Sequence, residues 1–237
     1  MIEHYFCKEK VAEYFSSDDW QYKIFQEFEN SIQSNSRPFP CVFGVSGFKL
    51  NQLRFAFFET LNPKQVGVAL EDYVREARKF GPNTSLVVFT KPTAVQSIAA
   101  YERKFWTFLQ DLAKVDTHSW PSDIPMELDH PDWEFCFAGE PLFVVCNTPA
   151  HVMRQSRRAS AFMLTLQPRW VFNGILGTKE AAQNAVSIVR GRLEPYDLVS
   201  PNPHLGSYGY PENREFAQYF LREDNEDVKC PYASIEP

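Results

Sequence analysis

Residues 64–90 read KQVGVALEDYVREARKFGPNTSLVVFT, which is a helix over 64–80, a stop at Gly81-Pro82, and a buried strand from Ser85 to Thr90. A helix that hands over directly to an apolar strand is the building unit of an α/β fold, and the chain on both sides continues it. Downstream, residues 94–115 carry Tyr101, Phe105, Phe108 and Leu112 at helical spacing. Upstream, residues 52–58 (QLRFAFF) alternate well enough for a strand. Before them, Cys41 to Val45 reads as a short strand that follows Arg37-Pro38-Phe39-Pro40. Those two prolines force an extended path and stop a helix over 18–34 that carries Tyr22, Phe25, Phe28 and Ile32. A first helix covers 4–15.

The C-terminal half adds a polar loop over 116–132, then Trp133–Phe137 and Leu142–Cys146 as a hairpin around Gly139-Glu140-Pro141. A short helix is expected next, with Thr148 as its cap and Pro149 at its first position. Phe162–Leu166 reads as a strand and 179–193 as a helix. The tail from 195 is loop, with a short helix over 213–221. The strand pairs at 41–58 and 133–146 read as antiparallel neighbours. No repeat or Gly/Ser linker divides residues 1–237. The expected fold is therefore a single α/β domain, a mixed β-sheet with antiparallel strand pairs covered by helices.

Composition narrows the function classes. A chain of 237 residues with 44% hydrophobic and 23% charged residues can bury a full core. Aromatics reach 15%, which suits a Phe-rich core and would also wall a pocket for a flat ligand. The net charge of −6 gives no electrostatic reason to bind nucleic acid or an anionic membrane. No apolar run is long enough to cross a bilayer, and Met1-Ile2-Glu3-His4-Tyr5 does not read as a secretory signal, so a cytoplasmic location is expected. Five widely spaced cysteines without a CxxC pair argue against a disulfide framework and a structural zinc site.

Several constellations could carry chemistry. Cys41 follows a rigid extended segment and precedes Gly44, so its sulfur would be fixed in direction with free backbone N–H groups nearby, as an iron thiolate requires. It reads equally as a buried strand cysteine. In Thr148-Pro149-Ala150-His151-Val152-Met153-Arg154-Gln155-Ser156-Arg157-Arg158, a helix would place His151 in its first turn, where the dipole keeps imidazole neutral. Arg154 and Arg158 would share its face and grip a carboxylate such as a haem propionate. A solvated basic helix is the plainer alternative. In the hairpin, Trp133, Phe135 and Phe137 alternate with Glu134 and Cys136, and Glu134 or Glu140 beside aromatic rings suits a cationic substrate. Cys230-Pro231 could meet haem, or be an ordinary tail. A rival set is His130, Asp132 and His204, two imidazoles and a carboxylate as in non-haem iron oxygenases. That chemistry favours a double-sheet roll of many strands, which the long helices oppose.

Taken together, Arg37-Pro38-Phe39-Pro40-Cys41, Trp133-Glu134-Phe135-Cys136-Phe137 with Gly139-Glu140-Pro141, Thr148-Pro149-Ala150-His151 with Arg154, Ser156 and Arg157, Pro168-Arg169-Trp170 and the closing Cys230-Pro231 resemble the YqcI/YcgG family, in order and over nearly the whole chain. Most of that family has no assigned chemistry, and some members are haem-dependent N-hydroxylases that act on the guanidino group of arginine or related compounds. The resemblance implies haem binding and N-oxygenation; on the residues themselves Cys41 is the preferred iron ligand, because a thiolate pushes electron density toward O–O cleavage, with His151 second and Cys230 third, Arg154, Arg158, Phe39 and Phe43 lining the cofactor, and Glu134 and Glu140 holding a cationic substrate. The resemblance also implies a small-molecule substrate and an external electron donor; a second copy of the chain in a homodimer is the remaining expected partner. A haem-binding sensor without turnover is the alternative from another class.

Overall fold

A computed structural model describes residues 3–175, 179–206 and 213–226. Its centre is a five-stranded sheet in the order β1-β2-β5-β4-β3, built from β1 (Arg54–Phe58), β2 (Leu86–Thr90), β3 (Phe135–Phe137), β4 (Glu140–Asn147) and β5 (Met163–Pro168). β1 and β2 run parallel, and every other pairing is antiparallel. The mixed sheet of the sequence reading is present.

The helices form in two sets. α4 (Pro63–Phe80) and α5 (Ile98–Val115) cover one face of the sheet. Asn62 caps α4 by accepting from the N–H groups of Lys64 and Gln65, Pro63 occupies the first turn, and Gly81 ends the helix at φ 120°. Their apolar stripes, among them Leu70, Tyr73, Phe105 and Leu109, meet Ala56, Leu86, Val88, Val144 and Leu164 in a dry core. Each large buried side chain there contributes roughly 1.5–3 kcal/mol. The opposite residues of the same strands, Phe55, Val87, Phe89 and Met163, pack under α1 (Lys8–Tyr14), α2 (Trp20–Ile32) and α3 (Val42–Lys49). Period-two alternation thus feeds two cores from one sheet. That second layer is incomplete. Thr165 lies opposite both Val87 and Val145, so the three share a face, yet Thr165 and Val145 are only half-buried. α6 (Trp170–Ile175) and α7 (Lys179–Tyr196) follow β5.

Several expectations are corrected. Cys41–Val45 is not a strand: Cys41 is the N-cap of α3, and its Sγ accepts from the Gly44 N–H at 3.3 Å. β1 therefore has no antiparallel partner from residues 41–45; it pairs in parallel with β2. A β-branched, apolar run followed by Gly44 looked extended, but the first-turn cap and burial of Phe48 decide for helix. The helix expected after Thr148 is absent. The chain there is a loop with one 3-10 turn at Gln155–Arg157, because Thr148 forms a bridge with Arg158 and its Oγ1 serves His151 instead of capping a helix. The helix over 213–221 is a 3-10 turn at Glu215–Gln218, and the helix over 94–115 begins only at Ile98 behind its cap Ser97. α6 was not foreseen. The hairpin turn sits at Ala138-Gly139, both left-handed (φ 53° and 71°), so β4 already includes Glu140.

α3 is seated by one close approach. A Cβ placed on Gly47 would stand 2.4 Å from the Asn83 carbonyl oxygen, a backbone atom that cannot step aside. Gly47→Ala should therefore lower unfolding free energy by about 1–3 kcal/mol. Urea titration would check this, and a change within experimental scatter would show that α3 is free to shift.

Candidate functional site

The loop after β4 and the segment after Glu215–Gln218 build one hydrogen-bonded unit at the carboxyl end of β4. Thr148, His151, Arg154 and Arg157 are all buried, and His151 is completely so. His151 Nε2 stands 2.8 Å from the Leu221 carbonyl oxygen and Nδ1 2.9 Å from Thr148 Oγ1. A carbonyl only accepts, so Nε2 carries the proton and the Thr148 hydroxyl donates to Nδ1. Both ring nitrogens are engaged. Burial holds the imidazole down to a pKa of about 4, with Arg157 and Arg154 pushing the same way against the Leu221 carbonyl and Glu223.

The arginines are spent similarly. Arg154 donates from Nε to Arg222 O at 2.7 Å and from Nη2 to Asp224 O and Asn225 Oδ1. Arg157 donates to Gln218 O and Tyr219 O; burial, with Arg154 adding to it, lowers its pKa to about 10. Arg158, which is exposed, donates to His151 O and Pro149 O. Glu223 returns the grip: its carboxylate accepts from the N–H groups of Val152, Met153 and Arg154 at 2.9, 2.6 and 3.1 Å. Burial opposes its ionisation, but those three donors outweigh it and hold the carboxyl below its usual range.

Cys41 borders this unit from the α3 side. Arg37 reaches Gln155 Oε1 at 3.3 Å and stacks on the Tyr196 ring at 4.0 Å, while Arg192 donates to Phe39 O at 3.1 Å. Phe39 and Val45 pack against the second core together with Ala159, in the cluster that holds Met163. Phe43 is half-buried in the first turn of α3. Cys41 itself is exposed. The protein crowded around its sulfur raises the thiol above its ordinary pKa, whereas the N–H groups of Gly44 and Phe43 and the charges of Arg157 and Arg192 favour the thiolate. The other buried thiols, Cys136 (up to about 12) and Cys146, are held neutral by burial.

The remaining sequence candidates lie elsewhere. Glu140 opens β4 and Asn147 closes it, so Glu140 stands roughly 23 Å from the His151 end at about 3.3 Å per residue. Burial raises its carboxyl. Glu134 is fully buried and its carboxylate contacts the Arg169 guanidinium, which also reaches Glu215 at 2.6 Å. His130 and Asp132 are neighbours 3.8 Å apart, but among the described residues no three His, Cys, Asp or Glu side chains gather to hold a metal, so His204 does not complete that set. Cys230 and Pro231 lie outside the described residues. A cavity of about 670 Å³ runs along α2, lined by Ser17, Tyr22, Gln26, Glu27, Asn30 and Arg37.

Sequence reasoning missed the second half of the site. Tyr219, Leu221 and Glu223 carry no motif, and their roles are mostly those of backbone carbonyls and a capping carboxylate. Arg157 stood in the resemblance without a role.

Known proteins place these residues in context. The model of the YqcI/YcgG family matches residues 28–233. The chain is 40% identical over 227 residues to the uncharacterized protein YcgG of Bacillus subtilis (strain 168), covering 92% of this chain and 90% of that protein. It is 40% identical over 237 residues to the uncharacterized protein YqcI of the same organism, covering 96% and 92%. It is also 31% identical over 225 residues to a putative N(omega)-hydroxy-L-arginine synthase, DcsA, of Streptomyces lavendulae, covering 90% and 84%. No solved structure matches. No described helix is long and apolar enough to cross a membrane.

The site should be acid-labile. A histidine held neutral when folded contributes stability that is complete above its unfolded pKa near 6.5 and declines as pH falls toward about 4. The full gap corresponds to about 3 kcal/mol. Glu223, held ionised, adds to the loss in the same direction as pH falls. Urea titrations between pH 7 and 4 should show this decline, and His151→Gln should flatten it. An unchanged slope in the variant would place the acid sensitivity elsewhere.

Proposed function

The chain belongs to the YqcI/YcgG family, and on that footing we propose that it is a haem-dependent oxygenase that hydroxylates a nitrogen of a small guanidino compound, with Cys41 as the iron ligand. The similarity to a protein named as a putative N(omega)-hydroxy-L-arginine synthase supports the substrate class. The observation that carries the ligand assignment is the contrast between Cys41 and His151. Cys41 is an exposed residue at the N-cap of α3 whose sulfur has the Gly44 N–H aimed at it, and His151 has neither ring nitrogen available.

The residues present fit the group. An iron thiolate needs a sulfur fixed in direction, donors toward it, and apolar walls. Gly44 N–H provides a donor, and the half-buried Phe39, Phe43 and Val45 side chains of the same segment provide apolar surface. When bound, haem would supply activation of dioxygen. The overall change balances as one guanidino N–H, dioxygen, two electrons and two protons giving N–OH and water.

The chain's own residues would do three things. Cys41 would give up its thiol proton on ligation, helped by the backbone donors and by Arg157 and Arg192. The Phe39, Phe43 and Val45 side chains would exclude water from the reacting nitrogen. The neutral His151 would hold the loop in register through Leu221 rather than touch the reacting atoms. Arg154 and Arg158 donate to carbonyl oxygens of the chain, so this reading gives neither a propionate.

An absorption spectrum of the purified protein, as isolated and reduced under carbon monoxide, tests this. A Soret band moving to the strongly red-shifted thiolate position is expected, with its loss in Cys41→Ala and its retention in His151→Gln. A histidine-type band in the wild type would move the ligand away from Cys41. No Soret band even after adding haem would sink the reading.

A further inference from the structure

The Cys41 sulfur is constrained from two ends, and only one of them lies in α3. On the α3 side, Val45 N–H donates to Cys41 O at 3.1 Å and Gly44 N–H to Cys41 Sγ at 3.3 Å. The other end is Arg37-Pro38-Phe39-Pro40, and the last turn of α7 holds it. Arg192 donates from Nη1 to the Phe39 carbonyl oxygen at 3.1 Å. The Arg37 guanidinium lies over the Tyr196 ring at 4.0 Å and donates to the Tyr196 carbonyl oxygen. The Phe39 ring meets the Tyr196 ring edge-on at 6.0 Å. Residues 192 and 196 are four apart, so their side chains share one face of α7.

These contacts fall where they leave the chain little freedom. A peptide unit is planar, so holding the Phe39 carbonyl holds the plane that leads into Pro40. The Pro40 ring then locks its own φ. Between the Arg192 contact and the sulfur the soft torsions are ψ of Pro40 and φ and χ1 of Cys41, and the two α3 bonds restrain the last two. The turn that holds Phe39 is itself anchored. Tyr196 and Asp197 are buried, and Asp197 accepts from Ser156 N at 2.7 Å and from Ser156 Oγ at 2.8 Å. Ser156 belongs to the 3-10 turn that ends in Arg157. One helix end therefore joins the cysteine segment to the loop of His151 and Arg157.

We propose that Arg192 and Tyr196 are positioning residues: by holding the Phe39 carbonyl and the Arg37 side chain, the last turn of α7 sets the direction of the Cys41 sulfur. The consequence for an iron ligand rests on the haem reading above; the direction of the sulfur does not. Arg192 also brings charge toward that sulfur, so Tyr196, which brings none, separates direction from charge.

Hydrogen exchange of the haem-free protein is the first test. In Arg192→Ala and in Tyr196→Leu the Gly44 and Val45 amides should exchange about tenfold faster than in the wild type, while β2 amides keep their rates. Tyr196→Phe should match the wild type, because the ring is what Arg37 and Phe39 meet. Arg190→Ala is the control on the same helix and should also match, since Arg190 donates to the carbonyls of Asn202 and Leu205. The second test is the haem-loaded protein reduced under carbon monoxide. Arg192→Ala and Tyr196→Leu should keep haem and lose about half or more of the thiolate-type band, and Arg192→Lys and Tyr196→Phe should restore it. If Arg192→Ala does not fold, Arg192→Gln carries the same comparison. Unchanged Gly44 and Val45 exchange in both loss variants overturns the proposal. So does acceleration spread equally over β2, which would make the turn a general support of the fold. The two readings fail separately: local acceleration in a chain that takes no haem sinks the oxygenase and leaves the positioning, and a thiolate band unchanged in both loss variants sinks the positioning and leaves the oxygenase.

Discussion

The open edge of β4 is the constraint on which the rest depends. β4 has eight residues and β3 only three, so β3 pairs with Glu140 to Leu142 and leaves the strand unpaired beyond. An unpaired edge of an apolar strand invites association with other chains, and its buried N–H groups need acceptors. The chain answers with its own C-terminal segment. Tyr219 O accepts from Cys146 N–H, and the Tyr219 hydroxyl bridges the Phe135 N–H and the Leu142 carbonyl. One residue thereby stitches β3, β4 and the segment together.

That segment is not a strand, so its remaining carbonyls need donors of their own, and the loop after β4 supplies them. Arg157 takes Gln218 O and Tyr219 O, His151 takes Leu221 O, and Arg154 takes Arg222 O and Asp224 O. In a helix over 148–158 the N–H groups of Val152, Met153 and Arg154 would turn to carbonyls four residues back and be lost to Glu223. The loop conformation is thus the cost of covering the edge, and burial beside Arg157 and Arg154 keeps His151 neutral, with Nδ1 accepting from the Thr148 hydroxyl. The same geometry exposes Val152, Met153 and Arg158 on the far side.

The parts of the fold legible in the sequence were those governed by local physics. Gly81-Pro82 ended α4 where the spacing demanded, the apolar periods located α4, α5 and β2, and a mixed sheet followed from the order of elements. What was not legible depended on partners far along the chain. Cys41–Val45 has strand-like composition, but whether its sulfur caps a helix depends on Gly47 fitting against Asn83 O. Thr148-Pro149 has the form of a helix start, and it is overruled by Leu221 and Glu223, some seventy residues downstream. Cys41 and His151 do border one region, but the sequence could not show that both ring nitrogens of His151 are already bonded within the chain.

The separation of roles also answers why two buried guanidiniums stand so near a cysteine. Arg154 and Arg157 bond only to uncharged oxygens, so the carbonyl-pinning unit carries positive charge that its bonds do not neutralise. Buried charge of one sign is costly unless an opposite charge lies close. Asp197 and Glu223 offset part of it. Cys41, whose thiolate Arg157 favours, offsets more once it ionises, and it does so without adding a buried carboxylate that would itself require desolvation. Arg157, one of the residues that close the sheet edge, therefore favours the Cys41 thiolate against the burial that still raises the thiol above its ordinary value. Closure of β4 and a partial offset of the burial cost at Cys41 are two consequences of the same buried arginine.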